Sequence, residues 1–358
     1  DEQRGRIVYK RERPDGFLDV VPLCNWTGRI VEERVVDDGA TAEMNFIIKG
    51  TLDNGRPLPP AEVPAAQFQG MSWTTKFWGS DAVIYSGRDG RDRIRDAIQR
   101  FSMEGKARRT IFKHSGWRKV GGEWVFLHGE GAVGASGTRD DVEVHLEAGL
   151  AAAVLPDIPD DLPDAVRATL AAWTFGPDRI TLPVLAAVFR APLCEVARAV
   201  FSLFLVGSTG VFKTEIATLA QRFSGPFTAH SLPGNFSSTA NALEKLTFLG
   251  KDNLLVLDEY TPKGSSSRQV AEMHDKGERI FRAVGNVAPR GRLTDTTAMR
   301  SGFTPRGLVV ATGEDLPLGQ SLLARLVVLE VNAGDVSPRK LSFAQDAASG
   351  FPGVMSGY

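Results

Sequence analysis

A chain of 358 residues with 42% apolar and 24% charged side chains has enough material for about two cores. A net charge of -1 excludes global electrostatic capture of nucleic acid, so any such binding needs local patches. Two cysteines, Cys24 and Cys194, sit far apart without CxxC spacing; this excludes a disulfide framework or zinc knuckle and fits a reducing cytoplasm.

The start, Asp1-Glu2-Gln3-Arg4, carries no apolar run and does not read as a signal peptide. Residues 1 to about 135 read as a β-rich N-terminal domain. Short runs at Met44–Ile48, Ala82–Tyr85 and Trp124–Leu127 are bounded by Gly, Pro, Asp and Asn. One helix is predicted from Arg88 to Phe101, with Ile94, Ala97, Ile98 and Phe101 on one face. Gly129 to Gly134 matches GxGxxG spacing, but turn-like residues follow it. No helix dipole is therefore expected to meet a pyrophosphate there. The five histidines show no HxxxH pairing, which argues against a catalytic zinc.

Residues 136–165 turn acidic and Pro-containing and read as a connector. Helices are expected over Asp164–Trp173 and Leu182–Val200. The most apolar stretch, Leu182 to Val206, is interrupted by Arg190, Glu195 and Arg198, so it does not read as a membrane span. From there strands and helices alternate over 166–335. Strands are predicted at 202–206, 253–257, Leu308–Ala311 and Leu326–Leu329, with helices at Lys213–Phe223, Ser237–Leu249 and Glu278–Val284. Continuous apolar strands separated by helices imply an α/β core with a mostly parallel sheet covered by helices. Residues 336–358 read as a polar tail or the start of a C-terminal helical segment.

The first apolar strand runs into Gly207-Ser208-Thr209-Gly210-Val211-Phe212-Lys213-Thr214. A phosphate-binding loop needs Gly, four residues, Gly, Lys, then Ser or Thr. Gly207, Lys213 and Thr214 fall in place, and Phe212 stands where the second glycine belongs. In such a loop the backbone N–H groups cradle phosphate, the Lys ammonium adds charge and the hydroxyl meets Mg²⁺. The same residues also fit a Gly-rich turn.

A second signal is Asn253 to Glu259, four apolar residues ending in Asp258-Glu259. At the end of a strand, the first carboxylate suits Mg²⁺ and the second suits polarising a water. A buried strand that happens to end in acid reads the same locally. Thr312, at the tip of Leu308–Ala311, is positioned either to bond the γ-phosphate or to start a turn. Arg325, just before the last strand, suits a neighbouring subunit's site or plain solvent.

The run from about Ile111 to Leu329 resembles an uncharacterised mobile-element helicase-like family, a domain of unknown function described as the C-terminal domain of superfamily helicases. Its matching pieces are His114-Ser115-Gly116-Trp117, Trp124–Leu127, the Gly207–Thr214 loop, Ser238–Glu244, the strand ending Asp258-Glu259, and Ala311-Thr312-Gly313-Glu314. Family members usually have Gly just before the loop Lys, and Phe212 departs from that. The resemblance implies an AAA+-like P-loop core, ATP and Mg²⁺ as cofactors, a homo-oligomeric, hexameric ring and translocation on single-stranded or forked DNA. It makes Lys213 and Thr214 the phosphate and metal ligands, Asp258 and Glu259 the metal-holding and water-activating pair, Thr312 a sensor, and Arg325 a trans-acting arginine.

Local charge fits DNA. Between Arg88 and Lys119 stand 11 Lys/Arg against 4 Asp/Glu, and between Lys263 and Arg306 stand 9 against 4. The second stretch includes the DNA-contact candidates Arg279, Arg282, Arg290 and Arg292. Solvated helix faces would carry the same charges. Gly264-Ser265-Ser266-Ser267 predicts a mobile loop at a ring channel or a subunit interface. The leading expectation is an ATP-dependent helicase or translocase. The alternative is a nucleotide-gated scaffold whose hydrolysis Phe212 has weakened.

Overall fold

The computed structural model describes residues 1–147, 149–262, 267–286 and 303–358, with 292–293 and 299–300 described in backbone only. The chain divides into two compact units, Asp1–Asp37 with Thr41–Ile111, and Asp38–Ala40 with Phe112–Tyr358.

The first unit is antiparallel β. Strand Trp26–Asp37 pairs with Ala42–Leu52, from Trp26 opposite Leu52 to Asp37 opposite Ala42, and Ala61–Pro64 continues that sheet. Alternation puts Trp26, Ile30 and Ile48 inside, and helix Gly90–Phe101 covers them with Ile94, Ala97 and Ile98. Trp26 meets Trp78 edge-on with ring centroids 5.0 Å apart. The run Ala82–Tyr85 forms no strand; only Ile84 makes an isolated bridge to Cys24. It is too short and too exposed at Val83 to sustain a ladder.

The second unit begins with a four-stranded antiparallel sheet, Gly116–Val120, Glu123–His128, Gly131–Gly134 and Gly137–Arg139. The glycines of the GxGxxG match thus serve a hairpin. Residues after it bury Val142, Val144, Leu150, Ala153 and Leu155.

The main sheet of this unit is parallel. Its elements are β1 (Ser202–Val206), α1 (Lys213–Gln221), β2 (Gly234–Asn235), α2 (Ala240–Leu249), β3 (Leu254–Tyr260), α3 (Ser267–Asn286), β4 (Leu308–Gly313) and β5 (Leu326–Glu330). The five strands lie in the order β2-β3-β4-β1-β5, every neighbouring pair parallel. Both faces are covered. One cluster joins Leu203, Leu205, Val256 and Val310 to Ile216 and Ala220 of α1, and the other joins Phe204, Leu257 and Val309 to Ile280, Phe281 and Val284 of α3. Burial on both faces is why β1, β3 and β4 are apolar without alternation.

Several boundaries differ from the sequence expectation. The expected helix Leu182–Val200 is instead Asp178–Arg190, followed by a 3-10 turn over Ala191–Glu195, because Pro192 cannot donate to a continuing helix. Helix α2 starts at Ala240 rather than Ser237, since Thr239 supplies the cap to Ala242 N–H. Helix α3 starts at Ser267, well before Glu278; Gly264 to Ser266 lie outside the described residues. The tail folds as two helices, Pro338–Ala347 and Phe351–Gly357. Among the described residues no helix is long and apolar enough to cross a membrane.

Candidate functional site

At the carboxyl edge of the parallel sheet, β1 ends at Val206 and the loop 207–212 turns the chain into α1. Gly207 is required there, because a Cβ would lie 2.2 Å from the Val331 carbonyl oxygen. Gly210 takes φ +85° in the left-handed region.

Phe212 takes the backbone role of the glycine it replaces. Its φ of 69° and ψ of 20° are left-handed, and its carbonyl accepts from Ile216 N–H at 3.0 Å to start α1. The residue is 37% exposed and lines the cleft. For a non-glycine residue this conformation costs on the order of 1–2 kcal/mol. Lys213 folds back, its Nζ donating to the Gly207 carbonyl at 2.8 Å and to the Ser208 carbonyl at 2.7 Å.

Three polar side chains from three elements converge beside it. Thr214 Oγ1 of α1 donates to Asp258 Oδ1 of β3 at 3.0 Å, and Thr312 Oγ1 of β4 donates to the same oxygen. Thr312 Oγ1 also accepts from Glu259 N–H at 3.2 Å. Parallel register produces this meeting, since Leu257 of β3 stands opposite Ala311 of β4 and the register shifts between Leu257 and Tyr260. Glu259 itself sits at φ +63°, and its Oε2 accepts from Asn235 Nδ2 of β2 at 3.0 Å. Thr209 of the loop donates to the Glu314 carboxylate.

The cleft between these groups holds about 370 Å³ and is lined by Thr209, Phe212, Lys213, Thr214, Glu259 and Thr312, among others. It lies at the N-terminus of α1, where unpaired N–H groups and the helix dipole favour an anion. It also lies beyond the carboxyl ends of parallel strands, the usual binding place in open α/β sheets. A hydroxyl and one carboxylate, both hard oxygen donors, suit Mg²⁺, which takes one or two carboxylates and its remaining ligands from water and phosphate. Among the described residues no three His, Cys, Asp or Glu side chains gather as a metal cage.

The other predicted residues lie elsewhere. Arg325 stands at the opposite edge of the sheet, where its carbonyl accepts from Ser202 N–H at the start of β1. The length of β1, five residues at roughly 3.3 Å each, separates it from the cleft of its own chain. Its guanidinium is bound to Asn286 Oδ1 at 2.7 and 3.1 Å and to the Ser321 carbonyl. On α3, Arg279 pairs with Glu244 at 2.7 Å and Arg282 with Glu278 at 2.7 Å. Arg290 lies outside the described residues; Arg292 belongs to a two-residue strand, Arg292–Leu293, whose side chains also lie outside them.

Sequence reasoning missed Asn235, Glu314 and Thr261 as cleft neighbours. The Pro233-Gly234-Asn235 stretch carries no local signal, since β2 exists only through its pairing with β3. Glu314 was visible as the residue two after Thr312, a spacing that places it past the strand tip.

No family model matches the chain, and no curated protein matches it. Among solved structures it is similar to one described as SCCmec type IV Cch, an active helicase, at 14% identity and TM-score 0.49, covering 95% of this chain and 60% of that one. It is also similar to the apo C-terminal region of NrS-1 at 9% identity and TM-score 0.38, over 90% of this chain and 65% of that one. The JCV helicase matches at 14% identity and TM-score 0.32, over 52% of each chain. The chain therefore spans less than two thirds of the length of each of these structures.

Proposed function

We propose that this chain is an ATP-dependent DNA helicase or translocase of the AAA+-like P-loop class. It works in the cytoplasm as a homo-oligomeric ring, hexameric by the family resemblance, on single-stranded or forked DNA. The observation that carries this reading is the convergence of Thr214 and Thr312 on Asp258 Oδ1 at the N-terminus of α1. Three hydroxyl and carboxylate groups from separate elements meet where a triphosphate and its cation belong.

In this reading Gly207, Ser208, Thr209, Gly210, Val211, Phe212, Lys213 and Thr214 wrap the phosphates with backbone N–H groups. Lys213 leaves the Gly207 and Ser208 carbonyls to meet phosphate oxygen. Thr214 and Asp258 hold Mg²⁺, which when bound neutralises charge developing on the phosphates. Glu259 accepts a proton from the attacking water, and Thr312 steers the γ-phosphate end of the cleft. Arg325, remote from its own cleft, serves the cleft of an adjacent subunit. Arg279, Arg282, Arg290 and Arg292 supply the DNA-facing charge. Residues 166–335 form the motor core, with 1–135 as an accessory domain, 136–165 as connector and 336–358 as a C-terminal helical segment.

A second reading has two specific observations in its favour. The Phe212 ring at the cleft wall and the hold of Asn235 on Glu259 describe a site that binds nucleotide without turning it over, a gated scaffold on DNA or a partner. Steady-state ATPase with and without single-stranded DNA separates the two, with Glu259→Gln as control. DNA-stimulated turnover that the substitution abolishes supports the motor; saturable ATP binding with no turnover supports the scaffold. Absence of any Mg²⁺-ATP binding, with Lys213→Ala indistinguishable from wild type, overturns both.

A further inference from the structure

Of the motif Ala311-Thr312-Gly313-Glu314, Thr312 has a part in the proposed reaction and Glu314 has none. Parallel register fixes where Glu314 stands. Gly313 lies opposite Val206, the last residue of β1, and its carbonyl accepts from Gly207 N–H at 3.3 Å. Gly313 is tightly packed: a Cβ there would lie 2.7 Å from the Tyr260 carbonyl oxygen and 2.8 Å from the Phe204 ring. The next residue is thereby set beside the start of the loop 207–212. Its carboxylate lines the cleft and accepts from the Thr209 hydroxyl, in the middle of that loop.

The other acids at the cleft take their donors from outside residues 207–212. Asn235 donates to Glu259, Gln345 donates to Glu215 at 2.7 Å, and Thr214 and Thr312 donate to Asp258. Glu314 differs, because its donor belongs to the loop itself. Lys213 grips the same stretch through the Gly207 and Ser208 carbonyls. Gly207, Ser208 and Thr209 are thus each engaged by a charged side chain of the protein's own, a cation on two of them and an anion on the third. A phosphate entering the loop competes with both. The ammonium must turn from the carbonyls, and the Thr209 hydroxyl must turn from the carboxylate. Phosphate also brings negative charge up to Glu314, and like charges in one cleft repel more strongly than they would in bulk water. A repulsive element of this kind sorts ligands by their charge. ATP without a cation carries more negative charge than its Mg²⁺ complex and therefore meets the larger penalty.

We propose that Glu314 is a charge gate on the phosphate loop, a specificity-determining residue that admits nucleotide as its Mg²⁺ complex and disfavours the metal-free form. Thr209 is a positioning residue that holds the carboxylate over the loop. The assignment rests on residues 207–214 being a phosphate loop. It makes Glu314 an opponent of phosphate rather than a ligand of the cation, a task that belongs to Thr214 and Asp258 in the same reading.

The test is binding calorimetry on the full chain and two variants, Glu314→Gln and Thr209→Val, with ATP in Mg²⁺ and ATP in EDTA as the probes. Glu314→Gln removes the charge and keeps an oxygen that Thr209 can bond. Its affinity for metal-free ATP is expected to rise about tenfold and its affinity for Mg²⁺-ATP about twofold, so the preference for the complex narrows about fivefold. Thr209→Val keeps the charge but releases the carboxylate, and should narrow the preference about twofold. An unchanged preference in Glu314→Gln, with both proteins binding, overturns the gate and leaves the phosphate loop standing. Weaker Mg²⁺-ATP binding in that variant puts the carboxylate on the cation and also overturns the gate. Binding of neither probe by wild type or by Glu314→Gln removes the phosphate loop and the gate together. If Glu314→Gln lowers the melting temperature by more than about 5 °C, Glu314→Ala takes its place with the same expected direction.

Discussion

Asn235 Nδ2 donates to Glu259 Oε2 at 3.0 Å, so the carboxylate proposed to activate water lines the cleft while held by the neighbouring strand. A hydrogen bond to a charged, part-exposed group is worth about 1 kcal/mol net. Replacing Asn235 with Ala is expected to raise DNA-independent ATP turnover about fivefold and to narrow the stimulation by DNA, with little change in ATP affinity. Steady-state kinetics at saturating Mg²⁺-ATP read this directly.

Phe212 carries φ +69°, a conformation that glycine adopts without a Cβ clash. Phe212→Gly removes about 1–2 kcal/mol of strain and adds about 0.5–1 kcal/mol of unfolded-state entropy. The two nearly offset, so urea denaturation should place the variant within about 1 kcal/mol of wild type. Phe212→Val keeps the strain and adds a branched Cβ, and it should fall below wild type by about 1 kcal/mol or more.

Gly207→Ala is the opposite case. Its φ is unremarkable, but the new methyl would sit 2.2 Å from the Val331 carbonyl, a backbone atom that cannot rotate aside. The loop must move relative to β5, at a cost of about 1–3 kcal/mol. Loss of ATP binding in calorimetry, with a lowered denaturation midpoint, is the expected outcome.

Arg325 serves a site in trans if the motor reading holds, and its place at the far edge of the sheet makes a mixing experiment decisive. Arg325→Ala alone should bind ATP normally and lose turnover by roughly a thousandfold. Lys213→Ala alone should lose binding. Mixed in equal amounts, the two dead variants should regain a fraction of wild-type turnover, because some interfaces pair an intact loop with an intact arginine. No recovery on mixing would place Arg325 outside the reaction.

Arg306 meets Asp252 at 2.7 Å and also pairs with Glu195, while Asp252 has no exposure. Burial pushes the Asp252 carboxyl up to about 6 from 3.8, and the attraction of Arg306 offsets this only in part. The folded state thus holds this proton more tightly than the unfolded chain does. Its contribution to stability is fully present below about pH 4, declines as pH rises to about 6, and is constant above. Arg306→Met strands the carboxylate and should destabilise by about 3–5 kcal/mol near neutral pH. The deficit should shrink toward about pH 5 as Asp252 protonates more readily, which denaturation midpoints at several pH values will show.

Much of the sheet was legible because its strands are continuous apolar runs, and Leu203–Leu205, Leu254–Leu257 and Leu308–Ala311 all lie where their hydrophobicity places them. Helix α3 was read too short. The spacing of Met273, Gly277, Ile280, Phe281 and Val284 carries its period, but a glycine within the stripe and a Ser-rich start mask it. The apolar run after Leu182 misled in the other direction: a buried 3-10 turn at Pro192 is as apolar as a helix.

Local chemistry thus placed the long apolar strands and pointed to the phosphate-loop candidate, since a strand, a glycine turn and a Lys-Thr helix start each depend on neighbours a few residues away. The chain folded in space decided the rest. Asp258 meets Thr214 and Thr312, and Asn235 meets Glu259, only because parallel pairing brings residues from different strands to one sheet edge. Phe212 kept the glycine turn because α1 and β1, anchored in the core on either side, impose the left-handed backbone on whatever residue stands there.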